Sequence, residues 1–371
     1  MSSARVYLDF NATAPPLGEV LDAQLEAARV AWANPSSIHA DGRKARAVVE
    51  DARAKVAALA SCDPRDVIFT SGGTEANNLG VRSAMEKRAG ALVTSRLEHA
   101  SVVKVAEAFE REGREVHWAK ADARGAVEVT ALAKYVQNTP NIAAFAIQAV
   151  NHETGIIQPI REIAELARAR DAWLHVDAVQ GFGRIDDVAP MATTRSISAH
   201  KIRGPKGVGA LITQPDVKIE PVIRGGAQER GIRPGTVDPI AIAGFGVAAA
   251  HAKTSAIAYA SLAPLRDALE SALVGFGGEV NGGAPRAPHV TNISFSKWFG
   301  EELVAALDLE GVSISSGAAC SAGTIEPSPV LAVFVSDDRA KSAVRMSLGL
   351  TTTHDEITRA IEAFRRVLSR L

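Results

Sequence analysis

The sequence predicts an α/β protein with a largely parallel sheet covered by helices on both faces. Two observations carry this reading. Helical and strand-like spacings alternate through the first two thirds of the chain, and the strand-like runs are short, apolar and closed by glycine or polar turns. Residues 6–10 read as a first strand. Residues 42–59, rich in Ala, Arg, Val and Glu, repeat with a helical period, and a strand follows at 66–70. That strand breaks at Ser71-Gly72-Gly73-Thr74-Glu75, and a second helix begins near Glu75. Further strands are expected at 91–95, 142–147 and 173–177, separated by polar helices. An Ala-rich helix over about 239–253 and another over 256–273 lead into a second region. There, strands are expected at 291–295 and 312–315 and a closing helix over 353–371.

Composition frames the function. A chain of 371 residues is long enough for about two domains. Its 47% hydrophobic content and formal net charge of −1 describe an ordinary globular protein, with no basic field to hold nucleic acid. Residues 1–5 lead into the first strand without the apolar core and cleavage site of a signal peptide, and no run approaches the ~18 consecutive apolar residues of a membrane span. A cytoplasmic protein without membrane contact is expected. The two cysteines, Cys62 and Cys320, stand in unlike contexts, which argues against a disulfide framework or a clustered metal site. Cys62 lies in a turn between helix and strand and reads as a small, half-buried residue.

The chemistry centres on Lys201, in Ser198-Ala199-His200-Lys201-Ile202-Arg203-Gly204, which follows an apolar run ending in Asp177-Ala178-Val179-Gln180. A lysine within reach of a carbonyl cofactor, with an aspartate at a strand end, is the minimum equipment for pyridoxal phosphate chemistry. The lysine forms a Schiff base and the aspartate keeps the pyridine nitrogen protonated. Alone, such a lysine reads as a solvated loop residue. The Gly72-Gly73-Thr74 turn before a helix offers backbone N–H groups, a positive dipole end and a hydroxyl, a cradle for phosphate as well as an ordinary helix cap. The Walker lysine and the Rossmann glycine spacing are absent, so ATP and NAD fit poorly. His99 follows a strand, where it could stack on an aromatic cofactor or cap a helix. Asn151 sits in a polar turn after another strand.

Taken in order, these motifs resemble the cysteine desulfurases of the NifS/IscS type, within the fold-type I (class V aminotransferase-like) pyridoxal phosphate enzymes. The similarity runs from Tyr7-Leu8-Asp9-Phe10-Asn11-Ala12-Thr13 through Asn34-Pro35-Ser36-Ser37-Ile38-His39 to Val344-Arg345-Met346-Ser347-Leu348-Gly349. It implies a large cofactor domain over 13–254, with a mostly parallel seven-stranded sheet. A smaller α+β domain is implied over 1–12 and 255–371, carrying the catalytic cysteine loop.

The resemblance also implies roles. Lys201 would hold pyridoxal 5'-phosphate and move the substrate proton, Asp177 would pair with the ring nitrogen, and Gln180 would donate to the phenolic oxygen. His99 would stack on the ring. Gly73, Thr74, Ser198 and His200 would bind the phosphate, joined by Thr236 from the other protomer of a homodimer. Asn151 and Arg345 would clamp the carboxylate of L-cysteine. Cys320, among small residues expected to be mobile, would take the sulfur as a persulfide. It would then pass it to an acceptor such as an iron-sulfur scaffold or a thiolation protein. Arg203, Arg224, Pro234 and the run Leu331-Ala332-Val333-Phe334-Val335-Ser336-Asp337 depart from the family pattern. Two other readings are a selenocysteine lyase or another fold-type I lyase or transaminase, and a non-catalytic cofactor-binding or scaffold protein.

Overall fold

The computed structural model describes residues 5–186, 188–316 and 326–370, so Cys320 lies outside the described residues. Along the chain run β1 (Val6–Tyr7), α1 (Gly18–Val30), α2 (Ala40–Ala60), β2 (Val67–Thr70), α3 (Gly73–Lys87), β3 (Ala91–Ser95), α4 (Ala100–Arg111), β4 (Val116–Ala119) and α5 (Val129–Asn138). Next come β5 (Ile142–Gln148), α6 (Ile160–Ala169), β6 (Trp173–Asp177), β7 (Thr194–Ser198), β8 (Gly209–Thr213) and α7 (Pro239–Ala252). The last part holds α8 (Ser255–Ala260), α9 (Ala263–Gly275), β9 (Glu279–Val280), β10 (Val290–Ser294), α10 (Gly300–Leu309), β11 (Val312–Ser313), α11 (Asp337–Lys341), β12 (Ala343–Ser347) and α12 (His354–Leu368).

Seven strands form the central sheet in the order β2-β8-β7-β6-β5-β3-β4, and only β8 runs antiparallel to its neighbours. Strands β3, β5, β6, β7 and β8 are buried throughout, as expected for a sheet covered on both faces. The expected strands at 91–95 and 173–177 match β3 and β6. The sequence reading did not single out β4, β7 or β8.

The helix expected over 256–273 is two helices, α8 and α9, broken at Ser261 and Leu262. Pro264 in the first turn of α9 has no N–H for the preceding turn, so the chain restarts there. The strand expected at 312–315 is shorter; Ser315 joins Arg345 through an isolated bridge instead.

Two cores flank the active region. One gathers residues under the large sheet, such as Phe69, Phe145, Val176 and Phe245. The other joins Val6 and Leu8 at the start of the chain to Leu269, Ile293, Met346 and Phe364 near its end. A three-stranded antiparallel sheet, β12-β10-β9, lies over this second core.

At the edge of the large sheet, β2 is sealed by side chains. Phe69 N–H donates to Glu229 Oε2 (2.8 Å), while Val67 O accepts from Arg53 Nη1 (3.0 Å) and Arg230 Nη2 (3.1 Å). Arg53 and Glu229 form a two-pronged pair, Nη2 to Oε1 at 2.7 Å and Nη1 to Oε2 at 2.8 Å. Their side chains are 7% and 3% exposed. Glu229 and Arg230 hold positive φ, 45° and 60°, so this pair also fixes a strained turn.

Replacing Glu229 leaves the buried Arg53 guanidinium with only the exposed carboxylate of Glu50 (3.1 Å) as counter-charge. Glu229→Gln is therefore expected to lower stability by about 3 kcal/mol, read as a shift of the urea midpoint.

Candidate active site

Helix α3 starts against the end of β7. The turn before it needs glycine twice over: Gly72 has φ +153°, and a Cβ on Gly73 would lie 2.6 Å from Val179 Cγ2. The first turn of α3 thereby comes to the carboxyl ends of β6 and β7, the usual place for a ligand in an open α/β sheet. There a cavity of about 400 Å³ opens. Its walls include Gly73, Thr74, His99, Asp177, Gln180, Ser198, His200, Lys201 and Arg345, so nine of the twelve expected residues converge. Cys320 is outside the described residues.

The other two lie elsewhere. Thr236 is exposed and does not line the cavity of its own chain. Asn151 is 1% exposed and occupied internally. Its Oδ1 accepts from Glu153 N–H (3.0 Å), Thr154 N–H (2.9 Å) and Thr154 Oγ1–H (3.0 Å), and its Nδ2 donates to Leu97 O (3.0 Å).

Asp177 ends β6 and is 7% exposed. Its Oδ2 accepts from Asn77 Nδ2 (2.7 Å), and its Oδ1 accepts from Val179 N–H (3.0 Å) and Ser196 Oγ–H (3.3 Å). Asn77 also touches Ser101 Oγ (2.8 Å) and, through Oδ1, His175 Nε2 (3.0 Å). Behind them Gly80 gives His175 its room, since a Cβ there would lie 2.4 Å from His175 Nδ1. None of these supporting residues was singled out from sequence. Asn77, on the inward face of α3 one turn after the glycines, is the one whose position carried a signal.

Lys201 Nζ donates to the Asn11 carbonyl (2.6 Å) and the Ala12 carbonyl (2.8 Å). Burial and the nearby guanidinium groups of Arg184 and Arg345 push its amine down to about 7. Burial also pushes His200 down to about 4, helped by Lys201. His99 caps α4: Ser101 N–H donates to its Nδ1 (3.1 Å). Its ring meets His152 edge-on, with centroids 5.4 Å apart.

Arg345 comes from β12, over the second core, and is 5% exposed. It donates to Asp9 Oδ1 (2.6 Å) and the His152 carbonyl (3.0 Å). Its Nε has no partner among the described residues. Of the positions that depart from the family pattern, Arg203 is partly exposed with φ +67° and donates to Pro15 O (3.2 Å), Arg224 is exposed, and Pro234 is buried beside Gly225. The altered run after the cysteine loop is anchored: Leu331 is fully buried, and Ser328 Oγ–H donates to Glu153 Oε2 (2.6 Å).

The lining residues suit pyridoxal phosphate: a depressed amine, a carboxylate at a strand end, a helix start, the hydroxyls of Thr74 and Ser198, and an imidazole. A mainly parallel sheet with lysine and aspartate at its strand ends is the frame of the class V aminotransferases, and the description "Aminotransferase class-V" matches residues 6–360. The chain belongs to that family, on its cysteine desulfurase branch. It is 39% identical to the probable mitochondrial cysteine desulfurase of Schizosaccharomyces pombe, over 98% of this chain and 74% of that one. It is 36% identical to the cysteine desulfurase IscS of Dictyoglomus turgidum, over 99% and 95%. A solved structure of a NifS-like protein superposes with a TM-score of 0.91 at 31% identity, covering 99% of this chain and all of the other.

The Lys201 amine gives a signed test in the chain without cofactor. Its folded value is about 7, against ~10.5 when unfolded, so between these pH values the unfolded state binds more protons and stability rises with pH. Below pH ~7 both states are protonated and the full penalty remains. Lys201→Met is therefore expected to stabilise the cofactor-free chain most at pH 7 and least near pH 10. The gap should close at up to ~1.4 kcal/mol per pH unit in chemical denaturation.

Proposed function

We propose that the protein is a cysteine desulfurase that removes sulfur from L-cysteine, giving L-alanine and a persulfide on Cys320. The observation that supports this most is the meeting of Lys201, Asp177, His99 and Arg345 around one cavity. These residues come from four separate parts of the chain. Pyridoxal phosphate, when bound, supplies a ring that absorbs the electron pair left by the substrate's α proton.

The residues divide the remaining work. Asp177, held by Asn77, Ser196 and Val179 N–H, would face the ring nitrogen. Gly73, Thr74, Ser198 and His200 would hold the phosphate, and His99 and Gln180 the ring. Lys201, with an amine near 7, can give up and take back a proton at working pH. Arg345 would take the substrate carboxylate in a two-pronged contact, exchanging its present partner Asp9. Asn151, saturated by its own turn, would join by reorienting its amide. Cys320 would attack the substrate sulfur as thiolate. That breaks the carbon–sulfur bond, forms the sulfur–sulfur bond, and leaves the carbon to be protonated to alanine.

The same reading takes residues 13–254 as the cofactor domain, and 1–12 with 255–371 as the smaller one. It also includes a cytoplasmic location and a sulfur-accepting protein such as an iron-sulfur scaffold. It includes a homodimer, in which Thr236 of one protomer completes the phosphate site of the other. The exposed apolar side chains on α1 and the turn after it support the dimer. Leu21 and Leu25 are each 54% exposed, Trp32 70% and Ile38 86%.

Cys320→Ala is expected to cut alanine release from L-cysteine by roughly two orders of magnitude or more, while the bound cofactor keeps its visible absorbance. Lys201→Ala should lose that absorbance. Unchanged alanine release in the cysteine variant would point to a lyase that does not use Cys320. Light scattering should give twice the chain mass, and Trp32→Asp with Ile38→Asp should return it to one.

A further inference from the structure

Arg184 follows β6 by seven residues and is 1% exposed. Among the described residues no carboxylate lies within ion-pair distance of it. Its partners are neutral oxygens instead. Nη1 donates to Asn11 Oδ1 (2.9 Å), and Nη2 donates to Phe10 O (3.1 Å) and Lys201 O (2.8 Å). Nη1 also contacts Gln180 Oε1, and the Tyr259 ring lies 6.0 Å away. A guanidinium does not give up its proton, so the charge stays although burial opposes it. Such an arrangement is costly for the fold, which asks what it accomplishes.

Its acceptors are placed around the lysine. The Lys201 carbonyl fixes that residue's backbone. The same Asn11 whose Oδ1 meets Arg184 offers its carbonyl to Lys201 Nζ (2.6 Å) and to Gln180 Nε2 (3.0 Å). By taking Gln180 Oε1, Arg184 fixes which way that amide points.

We propose that Arg184 is a positioning residue for Lys201: a permanent buried cation that locks Lys201, Gln180 and Asn11 into one unit and repels a second positive charge at Nζ. The inference rests on the reading of Lys201 as the cofactor-holding lysine. The other groups acting on Nζ are Arg345, which works with Arg184, and Asp9 and Asp177, which work against it. His152 and His200 also face it, and burial and neighbouring cations lower both. Burial is the largest influence on the Lys201 amine and Arg184 the second. Removing Arg184 should therefore raise that amine part of the way toward its ordinary value, not all of it.

The experiment follows the pH dependence of Lys201 acetylation by acetic anhydride in the full chain stripped of cofactor, with the Lys201 peptide read by mass spectrometry. In wild type the midpoint is expected near 7. Arg184→Gln should raise it by roughly half to one pH unit, a ~3- to 10-fold loss of reactive amine at neutral pH. Arg184→Lys keeps the charge but loses the planar fork. It should hold the midpoint within ~0.3 units while weakening cofactor retention several-fold, because Gln180 and Asn11 lose their shared donor. An unchanged midpoint in a folded Arg184→Gln would overturn the proposal. If that variant does not fold, a midpoint in Arg184→Lys raised by about a unit would overturn it equally. Failure of the underlying reading looks different, because visible absorbance would then survive Lys201→Ala.

Discussion

A carboxylate buried at the end of a central strand must have its hydrogen bonds satisfied, and much of the active region is arranged around that demand. Asp177 can sit 7% exposed because α3, β7 and the turn after β6 each bring it a donor: Asn77, Ser196 and the Val179 N–H. Asn77 reaches it because Gly72 and Gly73 let α3 start hard against the sheet, and Gly80 then clears space for His175 behind. The same close start of α3 brings Thr74 to the cavity that Ser198 and Lys201 also line. Loosening the helix would unmake the carboxylate's environment and the cavity wall at the start of α3 together.

A second constraint acts where the two cores meet. Asn11 bridges them: its side chain touches Arg184, His289 Nε2 (3.1 Å) and the His152 carbonyl (3.1 Å), and its N–H donates to Ser347 Oγ (2.9 Å). His289 meets Tyr259 edge-on at 4.9 Å. Polar contacts at a seam are directional where apolar packing is not, so they fix how β12 and Arg345 face β6 and Lys201.

The fold class was legible because buried parallel strands read as short apolar runs, as at β3 and β5. The strand β7 escaped because its sequence, TRSIS, is polar although every residue is buried. Arg195 manages this by sending its guanidinium to Ala60 O (2.9 Å) over the Phe182 ring, a long-range solution that periodicity cannot register. The site was legible where a residue type is itself chemical, as with Lys201, Asp177 and Arg345. It was not legible for Arg184 and Asn11, whose meaning comes from contacts across more than a hundred residues of chain. Asn151 shows the converse. Its motif drew attention as a ligand, and the structure finds it also building its own turn.

The Arg53–Glu229 pair also bears on assembly. An open strand at the end of a sheet is a template on which another chain can add, and β2 is such a strand. Here Glu229, Arg53 and Arg230 have already taken Phe69 N–H and Val67 O. The large sheet is thus closed to extension through this end by side chains, Arg53 reaching it from α2. Copies of the protein that meet must do so through other surfaces, and crowding in the cell finds no sticky β edge at β2 to grow from.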